Sequence, residues 1–307
     1  MIILDQAREL QAGPRPVCAA IGLFDGVHLG HQQIIRQTLA DAEQHEGVAL
    51  VITFDRHPNA VVAPDRVPPL VQPLSQRLRA IQSLGVDALL LIRFDAAFSR
   101  QTGEAFVRGL ARDLGRLRSL CVGADFHFGY QRSGNVELLR KLGAEFQFTV
   151  HGMAAVSLNG QPISSTRIRE AIRRGDLDAA SQMLGRAYAL AGRVIKGDGL
   201  GRQLGFPTAN LDVAGLVLPP NGVYGAHVRV GDRAQRAVMN IGVRPTLRNP
   251  EPKLCVEAHL LDFQGDLYDQ ELEVTFVARL RDERRFASLA ELQEQITRDA
   301  AEARARF

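Results

Sequence analysis

Cysteine is scarce in this chain. Cys18, Cys121 and Cys255 stand far apart, with no Cys-x-x-Cys pair among them. That spacing argues against a disulfide framework and against a thiolate zinc site, and it suits a reducing cytosol. Long apolar runs are missing as well. Nowhere do about 18 apolar residues follow one another, so no membrane-spanning helix is expected. The first residues, MIILDQARELQAG, carry acidic groups and no basic segment ahead of an apolar run, so no signal peptide is expected. Nor does one sign of charge dominate. The 37 Lys and Arg against 34 Asp and Glu give a net charge of +3, and no basic run carries interleaved aromatics. Nucleic acid and membrane are therefore not expected as partners. A cytoplasmic, mildly basic enzyme with small anionic substrates is the expectation.

What is present is ordinary for a globular protein. Hydrophobic residues make up 46% and charged residues 23% of 307, a length that favours two domains over one. Up to about residue 185, apolar runs alternate with helical spacings. Residues 16–21 (PVCAAI), 48–54 (VALVITF), 88–94 and a stretch starting at Leu120 read as buried strands. Residues 31–43 and 74–84 read as helices, and Thr102 caps another that runs through Leu114. Strands separated by helices predict a parallel sheet covered on both faces, a Rossmann-like α/β layout. From about Tyr188 the pattern becomes period-two. Tyr224, Ala226, Val228 and Val230 alternate with Gly225, His227 and Arg229, and Leu272, Val274 and Phe276 with Glu273 and Thr275. That predicts a small antiparallel β-barrel. A final helix starts at a Ser288/Glu291 capping box, with Leu289, Leu292 and Ile296 as its apolar stripe. The expected domains are 1–186 and 187–307.

Chemistry concentrates first in residues 22–31 (GLFDGVHLGH), between a strand and a helix. Gly22, Gly26 and Gly30 let backbone approach a ligand, and a helix N-terminus offers N–H groups to phosphate. His28 and His31 share one face of the first turn and can donate hydrogen bonds to a triphosphate. No Gly-Lys-Ser/Thr follows, so this is not a Walker A loop. A second cluster, Ser164, Ser165, Thr166 and Arg167, opens another helix. One hydroxyl suffices for capping, so three hydroxyls beside arginine favour phosphate.

The His-x-Gly-His loop resembles the signature of the nucleotidyltransferase superfamily. Residues 53–58 (TFDRHP), 122–129 (VGADFHFG), 163–169 (ISSTRIR) and the pair Phe98 and Ser99 narrow the likeness. Together they look like the FMN adenylyltransferase half of the prokaryotic bifunctional riboflavin kinase/FAD synthetases. The resemblance implies that His28 and His31 act catalytically on ATP phosphates. It implies that Gly22, Phe24, Asp25, Gly26, Gly30, Ser164, Ser165, Thr166 and Arg167 line the nucleotide site, with Asp125 near a phosphate. Phe98, Phe126 and Phe128 would meet flavin, although Phe126 and Phe128 also read as core residues. Arg56, Ala124 and His127 stand where that family often has proline, tyrosine and arginine.

The second half opens with Lys196, Gly197, Gly199 and Gly201, a glycine pattern that is weak alone. Residues 204–211 (LGFPTANL) are more specific. Thr208 and Asn210 face the same side of an extended segment and offer hard oxygen ligands suited to Mg2+. This stretch looks like the riboflavin kinase signature. In a later strand Val256, Ala258 and Leu260 form the apolar face and leave Glu257 on the other, where it can serve as general base. The resemblance implies that Lys196 and the three glycines hold ATP, and that Arg281 and Phe286 lie near flavin. It therefore implies an enzyme making FMN from riboflavin and ATP, then FAD from FMN and ATP, with Mg2+, as a monomer or weak homo-oligomer. The alternatives are an adenylyltransferase for another cofactor with a passive barrel, and a flavin- or RNA-binding regulator.

Overall fold

The fold is that of a computed structural model. It describes residues 1–246 and 249–307, with side chains described outside 244–253. Contacts divide the chain into two compact units, Met1–Pro69 with Leu74–Arg167 and Leu70–Pro73 with Ile168–Phe307.

In chain order the first unit contains β1 (Ile2–Leu4), β2 (Val17–Ile21), α1 (Leu29–Gln44), β3 (Val48–Phe54), α2 (Asn59–Val62), α3 (Leu74–Gln82) and β4 (Ala88–Ile92). It continues through α4 (Gly103–Leu114), β5 (Leu117–Gly123), α5 (Val136–Phe146), β6 (Thr149–Met153) and the short hairpin β7 (Ser157–Leu158) and β8 (Gln161–Pro162). The six-stranded sheet runs β1-β4-β3-β2-β5-β6, all parallel. All seven side chains of β3 are buried, as a central strand covered on both faces requires. One core packs Leu110, Leu114, Leu139 and Leu142 of α4 and α5 on the sheet. The other packs Ile34, Ile35 and Ile81 of α1 and α3 on its opposite face. The expected strands and helices occur, α4 with Thr102 as its cap. The pattern gave no sign of β1 or β6. β1 has three residues, and β6 (TVHGM) is a half-exposed edge strand with no need of an apolar run.

The helices α6 (Ser165–Arg174) and α7 (Leu177–Leu184) lead into the second unit, to which the contacts assign them from Ile168 onward. There β9 (Ala189–Ile195), β10 (Ala209–Asp212), β11 (Gly222–Val230), β12 (Arg233–Thr246), β13 (Asn249–Leu260) and β14 (Glu271–Arg281) form a closed antiparallel barrel, with α8 (Leu200–Gln203) between β9 and β10 and α9 (Leu289–Arg306) after β14. Tyr224, Ala226 and Val228 point inward with Met239, Ala258 and Val274. The cap of α9 is as expected at Ser288, whose Oγ accepts from Glu291 N, while the Glu291 carboxylate reaches back to Ala287 N. The stripe is corrected at one end: Leu289 is 58% exposed, Leu292 and Ile296 are half-buried, and the helix also buries Asp299, Ala300 and Ala303.

Candidate functional sites

The strand order reverses direction between β2 and β5, so their C-terminal ends open a crevice where ligands of parallel α/β sheets bind. The loop of residues 22–28 leaves β2 at that place. It is strained, with Phe24 at φ 54° and the β-branched Val27 at φ 42°. Such backbone costs roughly 1–3 kcal/mol per residue and persists only where its surroundings hold it. Several groups hold it. Gln32 Nε2 donates to Val27 O at 3.0 Å, Thr53 Oγ1 donates to Leu23 O, and Ser165 Oγ donates to Asp25 O at 2.9 Å. Beneath it lies Arg77 of α3, 2% exposed, whose guanidinium donates to Leu23 O at 2.9 Å and to Phe54 O. Arg77 thus ties together the ends of β2 and β3.

His28 is the N-cap of α1. Its Nδ1 accepts from His31 N at 3.3 Å, which leaves the ring proton on Nε2. The two imidazoles stack at 3.6 Å with 19° between planes, and Phe24 meets His31 edge-on. A Cβ at Gly30 would press on the His28 ring at 3.2 Å, so glycine there leaves the stack room. His31 Nδ1 is buried with no hydrogen-bond partner. Burial, reinforced by His28 and Arg77, pushes the His31 imidazole well below its ordinary value. The loop therefore presents two stacked imidazoles beside a helix N-terminus, that of His31 kept neutral by burial, a set suited to donating hydrogen bonds to an anion.

Other predicted residues divide by position. Phe24 is 1% exposed and packs in the core, so only its backbone can face a nucleotide. Ser164 Oγ accepts from Arg167 N, the capping role. The Arg167 guanidinium donates to the carbonyls of Leu158, Gln161 and Pro162, which fastens the β7–β8 hairpin. Thr166 is exposed, and Asp125 is exposed with its carbonyl against His127 Nδ1 at 2.8 Å.

A cavity of about 660 Å³ opens beside Ile21 and Leu23. Phe54, Phe94, Phe98, Phe106, Phe126 and Phe128 line it, in ring-to-ring contact from Phe54 round to Phe126. Centroid separations of 5.2–6.1 Å describe a continuous aromatic wall. Phe98, Phe126 and Phe128 lie in it together, and His57 and Arg132 supply polar groups at the same cavity.

The barrel gathers its polar groups by register. Glu257 of β13 pairs with Asn210 of β10 on one side and Asn240 of β12 on the other. All three alternate with inward core residues and so point outward. Glu257 is nevertheless 7% exposed, because it helps to line a cavity of about 240 Å³ with Thr208, Asn240, Arg281, Glu283 and Phe286. Leu292, Ile296 and Asp299 of α9 close it. Gly197 lies so close to the Asn210 amide that any Cβ would collide with it, and a Cβ on Gly201 would stand 3.1 Å from Thr208 Oγ1. Lys196 is exposed, and Gly199 (φ 73°) starts α8. Arg281 lies at the cavity with its guanidinium committed, bidentate to Asp299 at 2.7 and 2.9 Å, with Phe286 beside it.

Two family models match this chain, FAD synthetase over residues 10–167 and riboflavin kinase over residues 184–307. A bifunctional riboflavin kinase/FMN adenylyltransferase of Escherichia coli strain K12 is 37% identical, covering 100% of this chain and 98% of its own. That of Pseudomonas fluorescens is 39% identical, covering 97% and 95%. The chain belongs to the bifunctional riboflavin kinase/FMN adenylyltransferase family. A crystal structure described as a macrolide-efflux protein from Streptococcus pneumoniae is 28% identical, with a TM-score of 0.81 over 99% of both chains. Among the described residues here, no helix is long and apolar enough to cross a membrane.

Several site features had no role assigned to them by the motifs. Arg77 sits mid-helix with nothing in its sequence neighbourhood to mark it. Asn240 and Glu283 reach the barrel cavity from elements distant in sequence, Glu283 by accepting from Val243 N at 3.1 Å. Phe54, Phe94 and Phe106 read as strand and helix core. Only their convergence on one cavity sets them apart.

Proposed function

We propose that the chain phosphorylates riboflavin to FMN at the barrel and then joins AMP from a second ATP to FMN at the β2–α1 loop, releasing pyrophosphate. The relatives carry both activities in their names, over nearly the whole length that this chain matches. The observation that carries the reading is Glu257, a carboxylate buried at an apolar-walled cavity between two register-paired asparagines. In the kinase step the terminal ribityl hydroxyl attacks the γ-phosphorus, Glu257 takes its proton, and the bond to the bridging oxygen breaks to leave ADP. Thr208 and Asn210 fit Mg2+ through their oxygen donors, and Gly197 and Gly201 let the backbone pass close to both side chains. Bound there, the ion would neutralise phosphate charge.

In the second step an FMN phosphate oxygen attacks the α-phosphorus of ATP, and pyrophosphate leaves with the electron pair of the broken bond. The FMN phosphate is already anionic, so positioning and charge stabilisation dominate. His28 and His31 donate to the phosphates, and the aromatic cavity takes the flat isoalloxazine ring. We assign this step to residues 1–186 and the kinase to 187–307, in a cytoplasmic monomer or weak homo-oligomer. The test is incubation with riboflavin, ATP and magnesium, followed by chromatography. FMN appearing first and FAD later is expected, and the absence of both would overturn the reading in favour of a flavin-binding protein.

A further inference from the structure

Asp41, Cys121 and His151 come from three elements, α1, β5 and β6, and meet on one face of the parallel sheet. Cys121 and His151 are direct register partners on adjacent parallel strands, so both side chains leave the same face. α1 packs across that face and brings Asp41 between them. Asp41 Oδ2 lies 3.2 Å from His151 Nε2 and 3.7 Å from Cys121 Sγ, and the three ligand atoms lie within 4.8 Å of one another. A tetrahedral zinc ion, with bonds of about 2.0–2.3 Å, holds its ligands about 3.3–3.6 Å apart. The observed separations bracket that spacing.

We propose that these three side chains form a binding site for one zinc-type divalent ion, separate from both ATP-dependent sites. Thiolate with imidazole selects zinc, or cobalt as its spectroscopic stand-in, over magnesium. The surroundings fit. Gln37 Nε2 donates to Asp41 Oδ1 at 2.8 Å and fixes the second carboxylate oxygen, as outer-shell partners of metal ligands do. Cys121 and Asp41 are buried, whereas the His151 side chain is 33% exposed, which gives an ion its entry and a water its place as fourth ligand. Coordination by the Cys121 thiolate releases the thiol proton to solvent. Asp41 lies ten residues beyond His31 on α1, about 15 Å along the axis. The ion would therefore pin the far end of the helix that carries the histidine pair. The wide spacing of the cysteines in sequence hides this arrangement, because each donor comes from a different element.

The test uses full-length, untagged, metal-stripped protein. One equivalent of Co2+ should give a thiolate-to-cobalt charge-transfer band that Zn2+ abolishes, and Zn2+ should raise the melting temperature. His151→Ala, at a partly exposed position that leaves the core intact, should weaken binding tenfold or more and remove both effects. Cys121→Ser should remove the band, and Cys255→Ser should keep it. Absence of the band, its survival in His151→Ala, or a melting temperature indifferent to zinc would overturn the site and leave a hydrogen-bonded Asp–His–Cys cluster.

Discussion

The loop after β2 and the outer face of β13 gather polar side chains by different means. The loop relies on backbone that its residues would not adopt alone, with Phe24 and Val27 at positive φ. It is held from beneath by the buried Arg77 and from the side by Ser165. The barrel site needs no such strain. Ladder hydrogen bonds set Asn210, Glu257 and Asn240 in a row, and α9 lines the cavity that Glu257 and Asn240 share. A site on a regular ladder is fixed by register, whereas a site on a loop is fixed by whatever anchors the loop. The first should fail when a functional group is removed, the second also when an anchor is.

The sharpest division should come from Glu257→Gln. It should lower FMN formation by roughly a hundredfold to ten-thousandfold, the worth of a general base, and leave adenylylation of supplied FMN unchanged. Asn210→Ala should act in the same direction. His28→Ala should do the converse, cutting FAD formation by roughly a hundredfold to a thousandfold while riboflavin is still phosphorylated. Loss of both activities in either folded variant would break the separation of sites. Arg77→Met tests the anchor. With the Phe54 carbonyl stripped of this donor, the cost should be about 2 kcal/mol in urea unfolding. FAD formation should fall and FMN formation should hold.

Arg281→Lys loses the bidentate grip on Asp299 and should cost about 1 kcal/mol, seen as a lower melting temperature and a higher KM for riboflavin. The smallest effect concerns pH. An unfolded His31 takes a proton as pH falls below its ordinary 6.5, and the native imidazole resists it. Stability should therefore be lost as pH drops through that range and regained above it. His31→Gln should flatten that slope.

The sequence carried much of this. The seven-residue run of β3, the Thr102 cap and the period-two segments around Tyr224 are local patterns, each imposed by a strand or helix burying one or both faces. Alternation along an extended segment told which way Thr208, Asn210 and Glu257 face, and the family resemblance assigned them their roles. The commitments of Arg167 to three carbonyls and of Arg281 to Asp299 were not legible, since a guanidinium reads the same in sequence whether it meets phosphate or backbone.

The chain by itself determined the two architectures and the residue types at each site, because hydrophobic period and glycine placement act over a few residues. Only the tertiary structure decided which distant groups meet. The aromatic wall from Phe54 to Phe126, Arg77 beneath the strained loop, Glu283 at the barrel cavity and the Asp41–Cys121–His151 cluster each join elements far apart in sequence. Such meetings are set by strand order and helix packing, which no local spacing records.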